Sequence, residues 1–144
     1  MAGFDLQRVF DIAGTALNAQ TVRMNTIASN LANVGSEASS EAEAFRAKRT
    51  VFEALLRKEQ LHRGAPVVGG VKLAGINDDS APVISRFDPR NPKADENGYV
   101  YLSNVNPVAE MVDMLDASRG FENNVEVVNT TRQLMLKTLE IIRS

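Results

Sequence analysis

The chain has 144 residues, which is the length of one domain or of two small ones. Its 16 Lys and Arg residues nearly balance its 18 Asp and Glu residues, so we expect no nucleic-acid partner and no binding to an anionic membrane. The absence of cysteine excludes disulfides, zinc fingers and iron–sulfur clusters, and the single histidine, His62, excludes a multi-histidine metal site.

The first predicted element is a long helix from Phe4 to about Asn33. Its seam residues alternate at spacings of four and three, as in a coiled coil, with one polar position at Gln20. The seam consists of Leu6, Phe10, Ala13, Leu17, Gln20, Met24, Ile27, Leu31 and Val34. Charges at Asp5 and Arg8 interrupt the pattern of a cleaved signal peptide, so we expect none, and we expect no transmembrane segment.

The middle of the chain has a different composition. Residues 35–44 are small and polar and predict a linker or mobile loop, whereas residues 45–104 predict a small β-rich domain. The run Phe45–Leu56 fits either a strand or a short helix. Three further runs read as short strands, and Asn97-Gly98 is the strongest hairpin-type turn signal between them. These runs are Val67–Ile76, Val83–Phe87 and Tyr99–Leu102.

A second long helix is predicted from Pro107 to the C-terminus, with Asn106 as its N-cap. The alternation of four and three continues through Met111, Met114, Ser118, Phe121, Val125, Val128, Arg132, Met135, Leu139 and Ile142. Gly120 falls mid-helix and is expected to weaken the helix. The sequence thus predicts an α+β fold with residues 1–34 and 105–144 as helices that pair as a coiled coil.

The outer face of the first helix carries few charges, and the second helix shows a weaker form of the same feature. Arg23 is the one charged residue between Ile12 and Val34, and Thr and Asn predominate at the positions expected to point outward. These positions are Thr15, Asn18, Thr21, Asn25, Thr26, Ser29, Asn30 and Asn33. Uncharged polar side chains cost less to desolvate than charges but are poor helix formers. Two interpretations follow: a two-helix coiled coil within one chain, or a subunit whose helices finish folding in an assembly.

Three segments, Leu17–Val34, Phe45–Leu56 and Gly69–Ile141, resemble those of a known family. The stretch "LNAQTVRMNTIASNLANV" (Leu17–Val34) is similar to the N-terminal signature of the flagellar axial proteins of rod, hook and hook-associated structures, which ends in a box that reads here Ser29, Asn30, Leu31, Ala32 and Asn33. The stretch from Gly69 to Ile141 resembles the proximal-rod members, above all at Asp88, Pro89, Asp95, Gly98 and Tyr99. Asn91 stands where histidine is common in that family, and Pro107 where valine is common.

The resemblance implies a structural subunit of the bacterial flagellar basal-body rod in the periplasm, the shaft that transmits torque for motility. It implies export through the flagellar type III apparatus without a cleaved signal. The implied partners are copies of itself, the rod proteins FlgB, FlgF and FlgG, the adaptor FliE and the membrane ring. It implies no cofactor, no catalytic site and no small-molecule substrate. The seam residues expected to carry assembly are Leu17, Met24, Ile27, Leu31, Phe121, Val125, Val128, Met135 and Leu139.

Rival interpretations rest on fewer residues. An enzyme would have to use residues that are ordinary in solvated turns, namely His62, Asp78, Asp79, Asp88, Asp95 and Glu96. Calcium binding at residues 88–97 is disfavoured because the spacing of an EF-hand loop is absent. A soluble coiled-coil adaptor would explain the helices but not the middle motifs. Two roles remain open for the asparagines of the box, which either cap the helix locally or bond across subunits, and Met111, Met114 and Met135 fit either a core or an interface.

Overall fold

The computed structural model describes residues 2–55 and 69–143 and has an α+β architecture, in which two long helices pack together beside two small antiparallel sheets. The predicted α+β class is therefore confirmed, and the pairing of the two helices as a coiled coil stays a prediction. Some of the sequence candidates, namely Leu56, His62 and Val67, lie outside the described residues. No described helix combines the length and the apolar character needed to cross a membrane.

The two helices, α1 (Ala2–Ala32) and α2 (Pro107–Arg143), run antiparallel. Asn30 meets Glu110 near one end of the pair, and Gln20 approaches Gly120 closely in the middle. The start of α2 confirms the predicted cap, because Asn106 Oδ1 accepts hydrogen bonds from the backbone N–H groups of Val108 and Ala109 at 3.0 and 3.2 Å. Proline is tolerated at the first helical position because its missing N–H would have no helical partner there.

A two-stranded sheet, termed the ribbon below, packs along α1. It consists of β2 (Lys48–Ala54) and β3 (Val71–Asp78), paired from Lys48↔Asp78 to Ala54↔Val71 with an irregularity between Val51 and Phe52. Of the two alternatives for the segment after residue 45, the strand is the one that forms. Side chains of α1 bind both ends of the ribbon: Asn30 bonds to the backbone of Lys48, and Thr15 Oγ1 accepts from Val71 N at 3.2 Å.

The second sheet has the order β1-β5-β4, with β1 at Glu37–Ala38, β4 at Ile84–Phe87 and β5 at Tyr99–Leu102. The strand β1 lies inside the segment that the sequence predicted as a linker. The Glu37 carboxylate binds it to the rest of the sheet, accepting from Arg86 at 2.6 Å and from Asn91 at 2.8 Å. These bonds, that from Asn91 foremost, lower the pKa of Glu37. The division of the chain into domains remains a prediction.

The loop between β4 and β5 ends in a turn around Asp95 and Gly98. Asp95 Oδ1 accepts from the backbone N–H groups of Asn97 and Tyr99, and Gly98 N donates to Asp95 O at 3.0 Å. The hydrogen bond from Tyr99 N is the main reason that the pKa of Asp95 is lowered. The predicted turn is confirmed, but it closes residues 88–98 rather than a two-residue hairpin. The family-motif residues of this segment therefore shape the loop between β4 and β5.

We expect Gly98→Ala to destabilise the protein by about 1–2 kcal/mol, because Gly98 has a φ of +82° that side-chain-bearing residues rarely adopt. An added Cβ would also lie 2.9 Å from the Phe87 ring and 3.2 Å from Pro89. Urea unfolding of the purified chain measures the loss. The control is Gly35→Ala, since a Cβ at Gly35 meets nothing within 4 Å. Equal midpoints for the two variants would contradict the prediction.

Candidate assembly surfaces

The buried apolar core of the described residues is small and consists mainly of alanine. Its members are Ala13, Ile27, Ala44, Ala47, Val100, Val105 and Ala117. Many large apolar side chains lie exposed instead, on both helices and on the strands. Since exposed apolar residues that cluster on one face commonly mark interaction sites, their distribution identifies the candidate assembly surfaces.

The α1 seam lies inward, as predicted. Ile27 is buried, and Leu17, Met24 and Leu31 are half-buried. Some positions predicted to point outward do not: Thr26 and Asn30 are buried, and Thr15 and Asn33 are half-buried. The ribbon covers this second face of α1, and a pattern of one seam could not reveal a second partner.

The inward line of α2 agrees with the predicted one only in part. The half-buried or buried line is Glu110, Met114, Ala117, Phe121, Asn124, Val128, Thr131, Met135 and Thr138. The predicted Ser118 and Val125 are also half-buried, whereas the predicted Met111, Arg132 and Ile142 are exposed, so the prediction was wrong there. Leu139 is 61% exposed, and its role in assembly stays a prediction. The alternation of four and three did not identify the whole inward line, because small or hydrogen-bonded residues occupy part of it; the Thr131 hydroxyl, for example, donates to Val127 O at 2.7 Å.

The start of α2 carries an exposed apolar face, termed the α2 stripe. It consists of Val108, Met111, Val112 and Leu115, each more than half exposed. Because these residues recur at spacings of three and four, they share one side of the helix, opposite the buried Glu110 and Ala117. Of the three methionines in question, Met111 is therefore exposed, whereas Met114 and Met135 are half-buried.

The outer face of α1 is exposed, and from Asn18 onward it is uncharged. Asn18, Thr21 and Asn25 occupy it at spacings of four and three, and Ala28 and Ala32 continue the line. The hydroxyl of Thr21 donates to Leu17 O at 2.9 Å within the helix. Burying uncharged side chains of this kind costs less than burying charged ones, provided that their amides find hydrogen bonds.

A buried polar junction joins α1, β2 and α2. Glu110 is 0% exposed, and its two carboxylate oxygens accept from Arg49 Nη1 at 2.6 Å and from Asn30 Nδ2 at 2.9 Å. Asn30, also 0% exposed, accepts from Lys48 N at 2.8 Å and donates to Lys48 O at 3.0 Å. Arg49 also binds Asp79 at 3.2 Å. Burial opposes the charge on Arg49, but its bonds to Glu110 and Asp79 outweigh that effect and raise its pKa.

Sequence reasoning missed Glu110, because a glutamate in the first turn of a helix is ordinary on any surface helix. The two asparagines of the box behave differently from each other. Asn33 Nδ2 donates locally to Ser29 O at 2.9 Å, whereas Asn30 binds β2 and α2 of the same chain. Neither of the two roles considered for the box, a local cap of the helix or a bond across subunits, describes the contacts of Asn30. Ser29 and Ala32 of the box are exposed.

The acidic residues considered for an enzyme or a calcium site do not converge. Asp78 pairs with Lys48 at 3.0 Å, and Asp79 accepts from Arg49 and from Ala81 N. The Asp95 carboxylate accepts hydrogen bonds from backbone N–H groups of its own turn. Within residues 2–55 and 69–143, no group of three or more acidic or histidine side chains could hold a metal ion.

Comparisons with known proteins match segments near both ends of the chain and, with whole relatives, more than nine tenths of its length. A family of flagella basal body rod proteins matches residues 10–34, and the C-terminal family of flagellar basal body rod FlgEFG proteins matches residues 96–141. Flagellar basal-body rod protein FlgC of Yersinia enterocolitica is 46% identical, with 94% of this chain and 97% of that protein covered. FlgC of Salmonella typhimurium is 44% identical with the same coverage. FlgC of Borreliella burgdorferi is 33% identical over 92% of this chain and 95% of its own.

Proposed function

Because this chain belongs to the FlgC family of flagellar basal-body rod proteins and is a structural subunit of that rod, we propose that it polymerises through α1 and α2, which pair as a coiled coil. Residues 1–34 and 105–144 then form the rod core, residues 45–104 form the β-rich middle domain, and residues 35–44 connect the two. The resulting shaft transmits torque and supports motility.

The α2 stripe carries this proposal. Leu115 is 60% exposed and Val108 is 69% exposed, although both are large apolar residues on a helix whose other side is already packed on α1. Leaving such side chains in water forgoes about 25 cal/mol for each Å² of apolar surface that a neighbour could cover. A neighbouring subunit that covers the stripe therefore gains most of its binding free energy from the hydrophobic effect.

The finer features of the proposal concern partners and location. The subunit contacts copies of itself, the rod proteins FlgB, FlgF and FlgG, the adaptor FliE and the membrane ring. It reaches the periplasm through the flagellar type III export apparatus without a cleaved signal peptide. The small alanine-rich core supports this route, because a marginally stable monomer is readily exported unfolded and completes its packing on assembly.

The test is Leu115→Asp in a strain that lacks the native copy. We expect loss of swimming and of rod incorporation, because a carboxylate would have to be buried against the neighbour. The unfolding midpoint of the purified variant should stay near that of the native chain, since Leu115 is exposed in the monomer. The control, Asn123→Asp, adds the same charge at an exposed position outside the stripe and should swim normally. Swimming of the Leu115→Asp strain would refute the proposed role of the stripe.

A further inference from the structure

The first turn of α2 contains a glutamate whose carboxylate is buried. Glu110 is fully buried, and a carboxylate in that position is tolerated only when charge and hydrogen bonds compensate it. Each of its oxygens has one donor, Arg49 Nη1 or Asn30 Nδ2. Neither donor belongs to α2, so α2 alone cannot satisfy the group.

The orientation of Asn30 depends on the ribbon. Its carboxamide binds both the N–H and the carbonyl of Lys48, much as a neighbouring strand would. One N–H of the amide is used by Lys48 O, which directs the remaining N–H to Glu110 Oε2. Without β2 in place, the amide would be free to rotate, and Glu110 would lose a positioned donor.

The orientation of Arg49 depends on the ribbon as well. Arg49 lies on β2, and its Nε donates to Asp79, which directly follows β3, at 3.2 Å. The Asp79 carboxylate is held in turn by Ala81 N at 2.9 Å. The guanidinium therefore reaches Glu110 from a position that is set by the paired strands, and it supplies the positive charge that the buried carboxylate requires.

We propose that Asn30, Arg49 and Glu110 form a conditional lock, which lets the start of α2 dock on α1 only when the ribbon is seated on α1. If α2 docked without the ribbon, Glu110 would lose its cation, and neither of its carboxylate oxygens would have a positioned donor. This free-energy penalty disfavours the docking of α2 without the ribbon. The α2 stripe is therefore presented in one orientation only. Asn30 and Arg49 are thus positioning residues for the docking of α2.

The test is hydrogen exchange along the full-length purified chain, with Arg49→Met and the double variant Arg49→Met/Glu110→Gln. In the single variant, we expect the amides of residues 108–116 to exchange about tenfold faster or more, because the buried carboxylate has lost its cation. The double variant removes the charge but keeps an acceptor for Asn30, so its rates should return to within about threefold of the native rates.

Each outcome decides for or against the lock. If Arg49→Met fails to fold but the double variant folds, the lock is supported, because removal of the buried charge has rescued docking. If the double variant exchanges as fast as the single variant, or also fails to fold, Arg49 serves only to pack the ribbon and the lock is refuted. The control is Arg86→Met, which breaks the 2.6 Å ion pair with Glu37 in the other sheet. Faster exchange at residues 108–116 in this control would also refute the lock. These results do not depend on whether the α2 stripe binds a neighbour.

Discussion

Ala117→Leu is expected to destabilise the chain by about 1–3 kcal/mol, because it forces a larger side chain between α1 and α2. Ala117 is 0% exposed and lies on the inward line of α2. The helices are already close at the next turn, where a Cβ added at Gly120 would lie 2.8 Å from Gln20 Nε2. Chemical unfolding of the purified variant measures the loss, which we expect as a lower midpoint with weaker helical circular dichroism.

The control for Ala117→Leu is Ala109→Leu, the same change at an exposed position of the same helix. It should leave the midpoint nearly unchanged, because the added carbons remain in water. An Ala117→Leu variant as stable as Ala109→Leu would show that the helix pair has room at this point. The inference that α1 and α2 are in close contact at Ala117 would then be wrong.

Leu31→Asp is expected to abolish swimming and to lower the unfolding free energy by about 2–3 kcal/mol. Leu31 is half-buried in the last turn of α1, next to Asn30, which binds Glu110 and Lys48. An aspartate there loses apolar burial and brings a carboxylate to the end of α1, where a negative charge interacts unfavourably with the helix dipole. Motility of the complemented strain and unfolding of the purified chain are the two measurements.

Ala32→Asp provides the matched control for stability, because it places the same charge one residue further along, at an exposed position. Its side chain faces solvent in the monomer, so it should retain most of the native stability although it carries the same dipole penalty. Normal swimming of the Leu31→Asp strain would overturn the assignment of Leu31 to the seam that assembly needs. If Leu31→Asp lost no more stability than Ala32→Asp, the burial of Leu31 would not explain its effect.

The two helices could be predicted from the sequence because their signals are local and repeated. The alternation of four and three residues, the Asn106 cap and the proline after it depend only on neighbours within a few residues. The same is true of the turn at Gly98, which adopts a positive φ. The motifs between residues 17 and 34 and from residue 69 onward likewise indicated the flagellar family, to which the chain belongs.

Other features could not be predicted because their causes are distant in sequence. The two residues of β1 have no strand pattern of their own, and they form a strand because β5 offers backbone groups and Arg86 and Asn91 bind Glu37. On α2, the predicted inward residues Met111, Arg132 and Ile142 are exposed, whereas Glu110 and Thr131, which the pattern did not select, are buried.

By itself, the sequence determined the two helices, their limits to within about two residues, the α+β class and the family, since each depends on local periodicity or on linear motifs. Only the tertiary structure decided that Asn30 and Glu110 are buried, which face of α2 meets α1 and which apolar residues remain outside. The reason is physical: a glutamate or an asparagine is buried only where donors from other elements converge on it. Those donors come from Lys48 and Arg49, and no local pattern near Glu110 indicates them.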